Sequence, residues 1–186
     1  MKSVLISIRP QWVEKIASGE KTIEVRKTAP KEVPFKAYIY ETKHATEMPW
    51  VDEDGHFIYK GRGQVIGEFV CDKILEIKVF KNGAIENFWF YNLDKSCLSF
   101  DEMGAYIGKG NIGYGWHISD LKIYDKPKEL SMFISPSKAK ECVDYCINGI
   151  CSNLGYEELC GAIRRCEYKK LTRPPQSYMF VEEVEQ

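Results

Sequence analysis

The chain has 186 residues, 44% of them hydrophobic, and a formal net charge of −1. This length and content suit one domain with a real core. A near-neutral chain is not a general polyanion binder, and no apolar run is long enough to span a membrane. Residues 1–43 and 160–173 each carry a net charge of +4, whereas residues 44–105 carry −5. The two basic segments form either a local phosphate-binding surface or a scatter of solvated charges.

The first nine residues predict a strand. They alternate apolar and polar side chains and become charged too early for a signal peptide. We therefore expect a cytoplasmic protein, in which a disulfide framework is not expected.

A short helix is predicted over residues 10–17. Pro10 suits a first helical turn, because its missing N–H would have no partner there. Trp12, Val13 and Ile16 recur at helical spacing. Gly19 follows the last of them, where a left-handed residue commonly ends a helix.

From Thr22 the periodicity changes to that of a strand. Glu24 and Arg26 then share one face, with Lys21 at the preceding corner. One interpretation is a surface strand whose Glu24–Arg26 ion pair contributes ~0–1 kcal/mol. The other is a small polar site, in which Lys21 and Arg26 donate to a nucleotide or another anion.

The rest of the chain predicts further strands and helices. Gly67 marks a bulge in one long strand, and Ser99 marks a helix start. The predicted strands are 36–42, 64–80, 114–124 and 177–184; the predicted helices are 99–107, 136–148 and 157–165; residues 43–62 are a long connection or an irregular hairpin.

Alternation assigns faces to four aromatic and histidine side chains. Trp116 and His117 point to opposite sides of their strand, and we predict a core tryptophan and a structural histidine. Tyr38 and Tyr40 share one face, where they either stack on a base or form part of the sheet wall.

Five of the seven cysteines crowd into residues 142–166. One interpretation is a structural zinc site, since two of these cysteines lie one helical turn apart; its ligands would be Cys142, Cys146, Cys151 and Cys166, with Cys160 as the substitute. The other is a set of reduced thiols packing small helices. Cys71, in a strand, is predicted to be a buried thiol.

The pattern Gly19-x-Lys21-x-x-x-x-Arg26, after a strand and a short helix, resembles the signature of the ASCH domain, a relative of the PUA RNA-binding fold. Further segments resemble its larger bacterial and phage members: Tyr38–Thr42, Val65–Phe69, Gly115–Leu121 and Arg173–Ser177. The resemblance covers about residues 1–130 and 172–185.

This resemblance implies an α+β fold: a PUA-like, mostly antiparallel β-barrel flanked by helices, with a cleft beside the Gly-x-Lys corner. We expect a single domain over residues 1–186, with five or six barrel strands and the first and last strands adjacent. Residues 131–172 would form a cysteine-containing helical insertion before the last strand.

The resemblance also implies binding of RNA, or of a nucleoside or nucleotide, in that cleft. Some small family members are amidohydrolases that act on N4-acetylcytidine with a Lys, Thr and Glu set. Lys21 matches the catalytic lysine, but the threonine position holds Glu24, which cannot act as a hydroxyl nucleophile. Asp101 or Glu102 could supply the third residue.

The residues themselves therefore favour binding over catalysis. The predicted binding set is Gly19, Lys21, Glu24, Arg26, Arg9 and Tyr40; as an enzyme, the protein would use Lys21 and Glu24. No cofactor is predicted apart from the structural zinc. A protein-interaction module is a third class that the sequence allows, and the oligomeric state is not predicted.

Overall fold

The computed structural model describes residues 1–43, 50–51, 57–58, 61–86, 92–135 and 171–183. Within these ranges the protein is a strand-rich α+β fold with two α-helices and four sheets, none of which closes on itself. No helix in the described part of the chain has the length and apolar character needed to cross a membrane.

The helices are α1 (Pro10–Ala17) and α2 (Phe100–Ile107), and short 3-10 helices span Leu93–Ser96 and Leu130–Met132. The strands are β1 (Ser3–Ile8), β2 (Ile23–Arg26), β3 (Phe35–Glu41), β4 (Trp50–Val51), β5 (Phe57–Ile58), β6 (Val65–Cys71), β7 (Ile74–Lys78), β8 (Ile112–His117), β9 (Ser119–Lys128), β10 (Phe133–Ile134), β11 (Tyr178–Phe180) and β12 (Glu182–Glu183).

The largest sheet has the order β11-β1-β3-β6-β9. Strands β1 and β3 are parallel, because α1 and β2 intervene, and the other pairs in this sheet are antiparallel. Leu5 of β1 lies opposite Met179 of β11. The predicted adjacency of the first strand and the Ser177 segment is therefore confirmed.

A second sheet, β2-β8-β7, is antiparallel throughout. Two predicted long strands each divide between the sheets. The chain leaves β6 at Cys71 and enters β7 at Ile74, and it leaves β8 at His117 and enters β9 at Ser119. The prediction of two continuous strands was wrong here, because alternation does not reveal where a strand changes sheet. The predicted strand 177–184 divides in the same way, into β11 of the large sheet and β12, which pairs with β10.

Gly67 lies at the predicted irregularity. The β6–β9 register shifts on both sides of it. A Cβ atom at Gly67 would lie 2.5 Å from the Lys122 carbonyl oxygen, so only glycine permits this close approach of β9. Strands β4 and β5 pair antiparallel, which agrees with the predicted irregular hairpin.

Both predicted helices within the described residues are confirmed. Pro10 occupies the start of α1, and Val13 and Ile16 face the core. Helix α2 begins with a capping box, in which Ser99 Oγ accepts from the Glu102 amide and the Glu102 carboxylate accepts from the Ser99 amide. This reciprocal cap satisfies two otherwise unpaired amides.

Only the ends of the predicted insertion, residues 131–172, lie in the described ranges. Its first residues form a 3-10 turn and β10, which pairs with β12. The Leu171 amide donates to the Phe133 carbonyl oxygen, so the two ends lie together. The predicted helices 136–148 and 157–165 lie outside the described residues, as does most of the basic segment 160–173.

Among the described residues, three apolar clusters form the core. The first packs α1 and one face of the large sheet around Trp116. The second lies between the small sheet and α2 and contains Ile23, Val25 and Met103. The third contains Leu5, Tyr38 and Tyr40. The polar face of β2 is turned towards the first cluster, because Glu24 lies opposite Trp116 in the β2–β8 register.

Candidate functional site

The corner between α1 and β2 turns the Lys21 side chain inward. Gly19 has φ of +77°, a conformation that costs glycine little, and the Lys21 amide donates to the Lys15 carbonyl oxygen at 2.8 Å. A Cβ atom at Gly19 would meet nothing within 4 Å. The corner is therefore open at Gly19, whereas Lys21 is only 2% exposed.

The buried Lys21 ammonium is fully engaged. Nζ lies 2.9 Å from the Ile23 carbonyl oxygen, 2.5 Å from the Ser96 carbonyl oxygen and 3.3 Å from Glu24 Oε2. It also lies 5.3 Å from the centroid of the Trp12 ring. Because a lysine ammonium has three donors, a new acceptor could bind Lys21 only by displacing one of these oxygens.

Glu24 joins Lys21 to Arg26. Its second oxygen lies 3.0 Å from Arg26 Nη2. Arg26 donates to the Ser7 carbonyl oxygen at 2.7 Å and makes a longer contact, 3.5 Å, with the Ser177 carbonyl oxygen. The arginine thus links β2 to β1 and to the segment that leads into β11.

We call Lys21, Glu24 and Arg26 the charged cluster. The predicted Glu24–Arg26 ion pair is present, but the interpretation of β2 as a surface strand was wrong, since all four residues of β2 are buried. Their polar face is covered because the large sheet and the Ser177 segment pack against it. Burial places the cluster where charge is costly unless it is paired.

The charged cluster holds two cations and one carboxylate, each less than 10% exposed. Four backbone carbonyl oxygens also accept hydrogen bonds from the two cations, and their partial negative charges stabilise these cations further. Arg26 Nε is buried and has no hydrogen-bond partner among the described residues. The cluster therefore retains one excess positive charge and one unused donor, a composition that favours an anionic or oxygen-rich ligand.

Tyr106 of α2 lies near the charged cluster and was not predicted. Burial raises the pKa of the Tyr106 hydroxyl, the charges of Arg26 and Arg9 oppose this rise, and Glu24 adds to it. The Lys27 ammonium lies 5.4 Å from the centroid of its ring. The sequence pattern that could have identified Tyr106 is its position in α2. It is an aromatic residue that lies next to the buried positions Met103 and Ile107 but does not share their face.

The other predicted binding residues differ in position. Arg9 precedes α1, is exposed, and is close enough to affect the Tyr106 hydroxyl. Tyr40 is 6% exposed and packs in the third apolar cluster with Leu5 and Val65. The charged cluster faces the first apolar cluster, so Tyr40 is not placed beside it.

Asp101 and Glu102, the two candidates for a third catalytic residue, are not among the described residues that hydrogen-bond or pair with Lys21. Glu102 is engaged in the capping box of α2, and Asp101 is exposed in the first turn of that helix. Helix α2 uses both carboxylates near its N-terminus, where they favour helix formation.

Trp116 and His117 lie as predicted on opposite sides of β8. Trp116 is fully buried, with its ring 5.0 Å from Phe35 and 5.3 Å from Tyr178. His117 Nδ1 lies 2.6 Å from Asp72 Oδ1 at the surface, and this hydrogen bond lowers the pKa of Asp72. The pair is a surface contact at the point where the chain changes sheet.

The described cysteines are free thiols. Cys71 is buried, as predicted, and burial raises its pKa to about 12, which opposes thiolate formation. No group of three or more potential metal ligands occurs among the described residues. The predicted zinc ligands Cys142, Cys146, Cys151 and Cys166, and the substitute Cys160, lie outside the described residues.

A pocket of about 610 Å³ lies on the outer side of the Gly19–Lys21 corner. Its wall combines the end of the 3-10 helix, the start of α2 and the Lys15–Glu20 ion pair. The lining residues are Lys15, Glu20, Asp94, Lys95, Cys97, Leu98, Ser99 and Phe100.

The fold and the corner define the class of this protein. The sequence model of the ASCH domain matches residues 6–107, more than half of the chain. The chain belongs to the ASCH domain family, as its resemblance to that family implied. No curated protein sequence matches it.

Solved structures of an ASCH protein from Zymomonas mobilis share the fold. The chain is 17% identical to that protein, with a TM-score of 0.53, and the match covers 97% of this chain and 88% of the other. A tyrosine-to-phenylalanine mutant gives a TM-score of 0.56 at 17% identity, covering 98% and 91%. A serine-to-alanine mutant gives 0.55 at 18% identity, covering 97% and 89%.

Proposed function

We propose that this ASCH protein binds RNA or a nucleoside in a cleft beside the Gly19–Lys21 corner. One observation carries the proposal: the buried charged cluster has an excess positive charge and an unpaired Arg26 Nε donor. Because Nε is buried, a base carbonyl or phosphate oxygen would accept from this donor only after the segment that covers Arg26 moves aside. Membership of the ASCH family supports this class of ligand.

Within this proposal the three charged residues have different roles. Lys21 has no donor left for a ligand, so it positions Glu24. One Glu24 oxygen contacts Lys21 and the other contacts Arg26. Each carboxylate oxygen has a further lone pair that can accept a hydrogen bond. It can accept from the amino group of a base, as acidic side chains do for cytosine, while Arg26 donates to the adjacent oxygen.

We further propose that residues 1–186 form a single domain with a PUA-like barrel and a cysteine-containing insertion. Two short connections between the sheets support the barrel. Strand β6 of the large sheet leads directly into β7 of the small sheet, and β8 of the small sheet leads directly into β9 of the large sheet. We also propose a cytoplasmic location and a structural zinc in the insertion. About one zinc per purified chain, lost in a Cys142→Ser/Cys146→Ser variant, would support the zinc site.

An amidohydrolase acting on N4-acetylcytidine-type nucleosides is the second candidate. The observation that favours it is the 3.3 Å contact between Glu24 Oε2 and Nζ of Lys21, the residue that matches the family's catalytic lysine. Glu24 stands where the family has its catalytic threonine, so the step would have to use a carboxylate instead of a hydroxyl nucleophile. Water would add to the acyl carbon, the carbon–nitrogen bond would break, and the amine would take a proton, releasing cytidine and acetate. Glu24 would move that proton.

A binding titration tests the main proposal. Short single-stranded RNA, hairpin RNA, cytidine and N4-acetylcytidine are titrated by calorimetry into the wild type and an Arg26→Lys variant, which keeps the charge but loses the forked donors. We expect the wild type to bind at least one probe and Arg26→Lys to bind it more weakly. Arg62→Lys, at an exposed arginine paired with Glu41, is the matched control.

No binding of any probe to the wild type would contradict the proposal, and equal affinity of the two proteins would place the ligand elsewhere. Circular dichroism checks that each variant is folded. Chromatography of the N4-acetylcytidine samples tests the second candidate, which requires cytidine release by the wild type and its loss in Lys21→Ala. An unchanged substrate peak would exclude that activity for this nucleoside.

A further inference from the structure

We propose that Tyr106 is a stacking surface for a base, and that Arg9 and Lys27 beside it bind the phosphates of the same ligand. This inference rests on the proposed function and narrows it: the ligand is single-stranded RNA rather than a free nucleoside. Tyr106, Arg9 and Lys27 come from α2, the start of α1 and the end of β2, and only the fold brings them together.

Tyr106 presents an exposed aromatic ring on a helix whose start is fixed. Tyr106 is 40% exposed, while its helical neighbours Met103 and Ile107 are buried. The capping box fixes the start of α2. The ring therefore has a defined position at the surface, and presenting it to a base costs little conformational entropy.

The Tyr106 ring has a cation beside it but no aromatic neighbour among the described residues. The Lys27 ammonium lies 5.4 Å from the ring centroid, and one ammonium covers only one face. Within the described ranges the Tyr106 ring makes no contact with another aromatic ring. A base stacked on the exposed part of the ring would lie between the tyrosine and the solvent, as bases do on RNA-binding proteins.

The two cations near the Tyr106 ring have no carboxylate partner among the described residues. Arg9 and Lys27 are exposed and form no ion pair with any described residue. Unpaired cations around an exposed aromatic ring suit a phosphate backbone, whose binding releases counterions.

Tyr106 also lies near the charged cluster. The charges of Arg26, Glu24 and Arg9 all act on the Tyr106 hydroxyl. A base on Tyr106 would therefore lie close to the carboxylate and guanidinium proposed to read its edge. Glu102, one turn earlier on α2, is turned towards the Ser99 amide and so does not neutralise this surface. Duplex RNA would not fit, because its bases are already stacked.

The test is fluorescence anisotropy with a short labelled single-stranded RNA, in the wild type and in variants. Tyr106→Ala should weaken binding roughly 5- to 150-fold, the usual effect of losing one base–aromatic stack. Tyr106→Phe should bind like the wild type, because stacking needs the ring and not the hydroxyl. Arg9→Gln and Lys27→Gln should each lower the slope of log affinity against log salt by about 0.7.

A second exposed cation–aromatic pair provides the control. Lys78 Nζ lies 5.1 Å from the Phe80 ring, which is 38% exposed, and β7 is separated from β2 by β8. Phe80→Ala and Lys78→Gln should leave both the affinity and the salt slope unchanged. Thermal denaturation confirms that all variants are folded.

The outcomes separate this inference from the proposed function. If the wild type binds no RNA or nucleoside, both fail. If it binds RNA but Tyr106→Ala binds equally well, only the stacking surface fails. If cytidine competes as strongly as the RNA, or if Arg9→Gln and Lys27→Gln leave the salt slope unchanged, the assignment of a phosphate-bearing ligand is wrong.

Discussion

Glu24 Oε1 lies 3.0 Å from Arg26 Nη2, and both side chains are buried although they project from one short strand. On an exposed strand such a pair contributes little to stability. Here it lies between two sheets, and Lys21 binds the other carboxylate oxygen. The same three residues therefore affect both the stability and the ligand chemistry of this protein, and variants can separate the two.

Glu24→Gln should destabilise the protein by about 3–5 kcal/mol, because it removes the only carboxylate among the described residues that pairs with these two buried cations. Urea denaturation measures the change. Glu20→Gln is the matched control: Glu20 pairs with Lys15 at the surface and should change the stability little. If Glu24→Gln lost no more stability than Glu20→Gln, the contacts of Glu24 with Lys21 and Arg26 would not stabilise the fold.

Lys21→Met should destabilise the protein by less than Glu24→Gln, by about 1.5–3 kcal/mol, the typical effect of losing hydrogen bonds to a charged group. Glu24 then keeps Arg26 as its partner. The Ser96 carbonyl oxygen loses its donor, so the 3-10 helix Leu93–Ser96 should loosen. Hydrogen exchange at the Thr22 amide, which donates to Lys95 of that helix, should accelerate; unchanged exchange would contradict this role.

Acid should remove the stability that Glu68 contributes. Burial alone raises the pKa of Glu68, but hydrogen bonds from Tyr124 and Lys36 outweigh burial and lower this pKa from 4.5. The contribution is therefore complete above about pH 5 and is lost as the pH falls through the folded-state pKa. Between pH 6 and pH 3, the wild type should lose more stability than Glu68→Gln does.

Tyr124→Phe provides the intermediate case for this pH dependence. It removes one of the two hydrogen bonds that stabilise the Glu68 carboxylate, so its acid sensitivity should lie between those of the wild type and Glu68→Gln. Chemical denaturation at a series of pH values gives all three profiles. Three parallel profiles would assign the acid sensitivity to other carboxylates.

Gly67→Ala should destabilise the protein by about 1–3 kcal/mol, the usual cost of overpacking, because the new methyl group would meet the Lys122 carbonyl oxygen at 2.5 Å. Gly104→Ala is the control. There the nearest atom lies 3.9 Å away, and alanine favours the helix by about 1 kcal/mol over glycine. Opposite signs in thermal denaturation are expected; a stabilising Gly67→Ala would contradict the close approach of β9.

The sequence by itself determined the local elements and the family. Proline and glycine positions fixed both ends of α1, the Ser99–Glu102 pair fixed the start of α2, and alternation placed Trp116 in the core. The G-x-K corner and the segments around it identified the ASCH domain. These features depend on contacts between residues that are close in sequence, and composition and spacing carry that information.

Only the tertiary structure decided which polar residues are buried and which residues meet. Alternation put Glu24 and Arg26 on one face but could not reveal that β1 and the Ser177 segment cover it. It could not separate β6 from β7, nor bring Tyr106 of α2 next to Lys27 after β2. Burial depends on the segments that pack across a strand, and these lie up to 151 residues away in the chain.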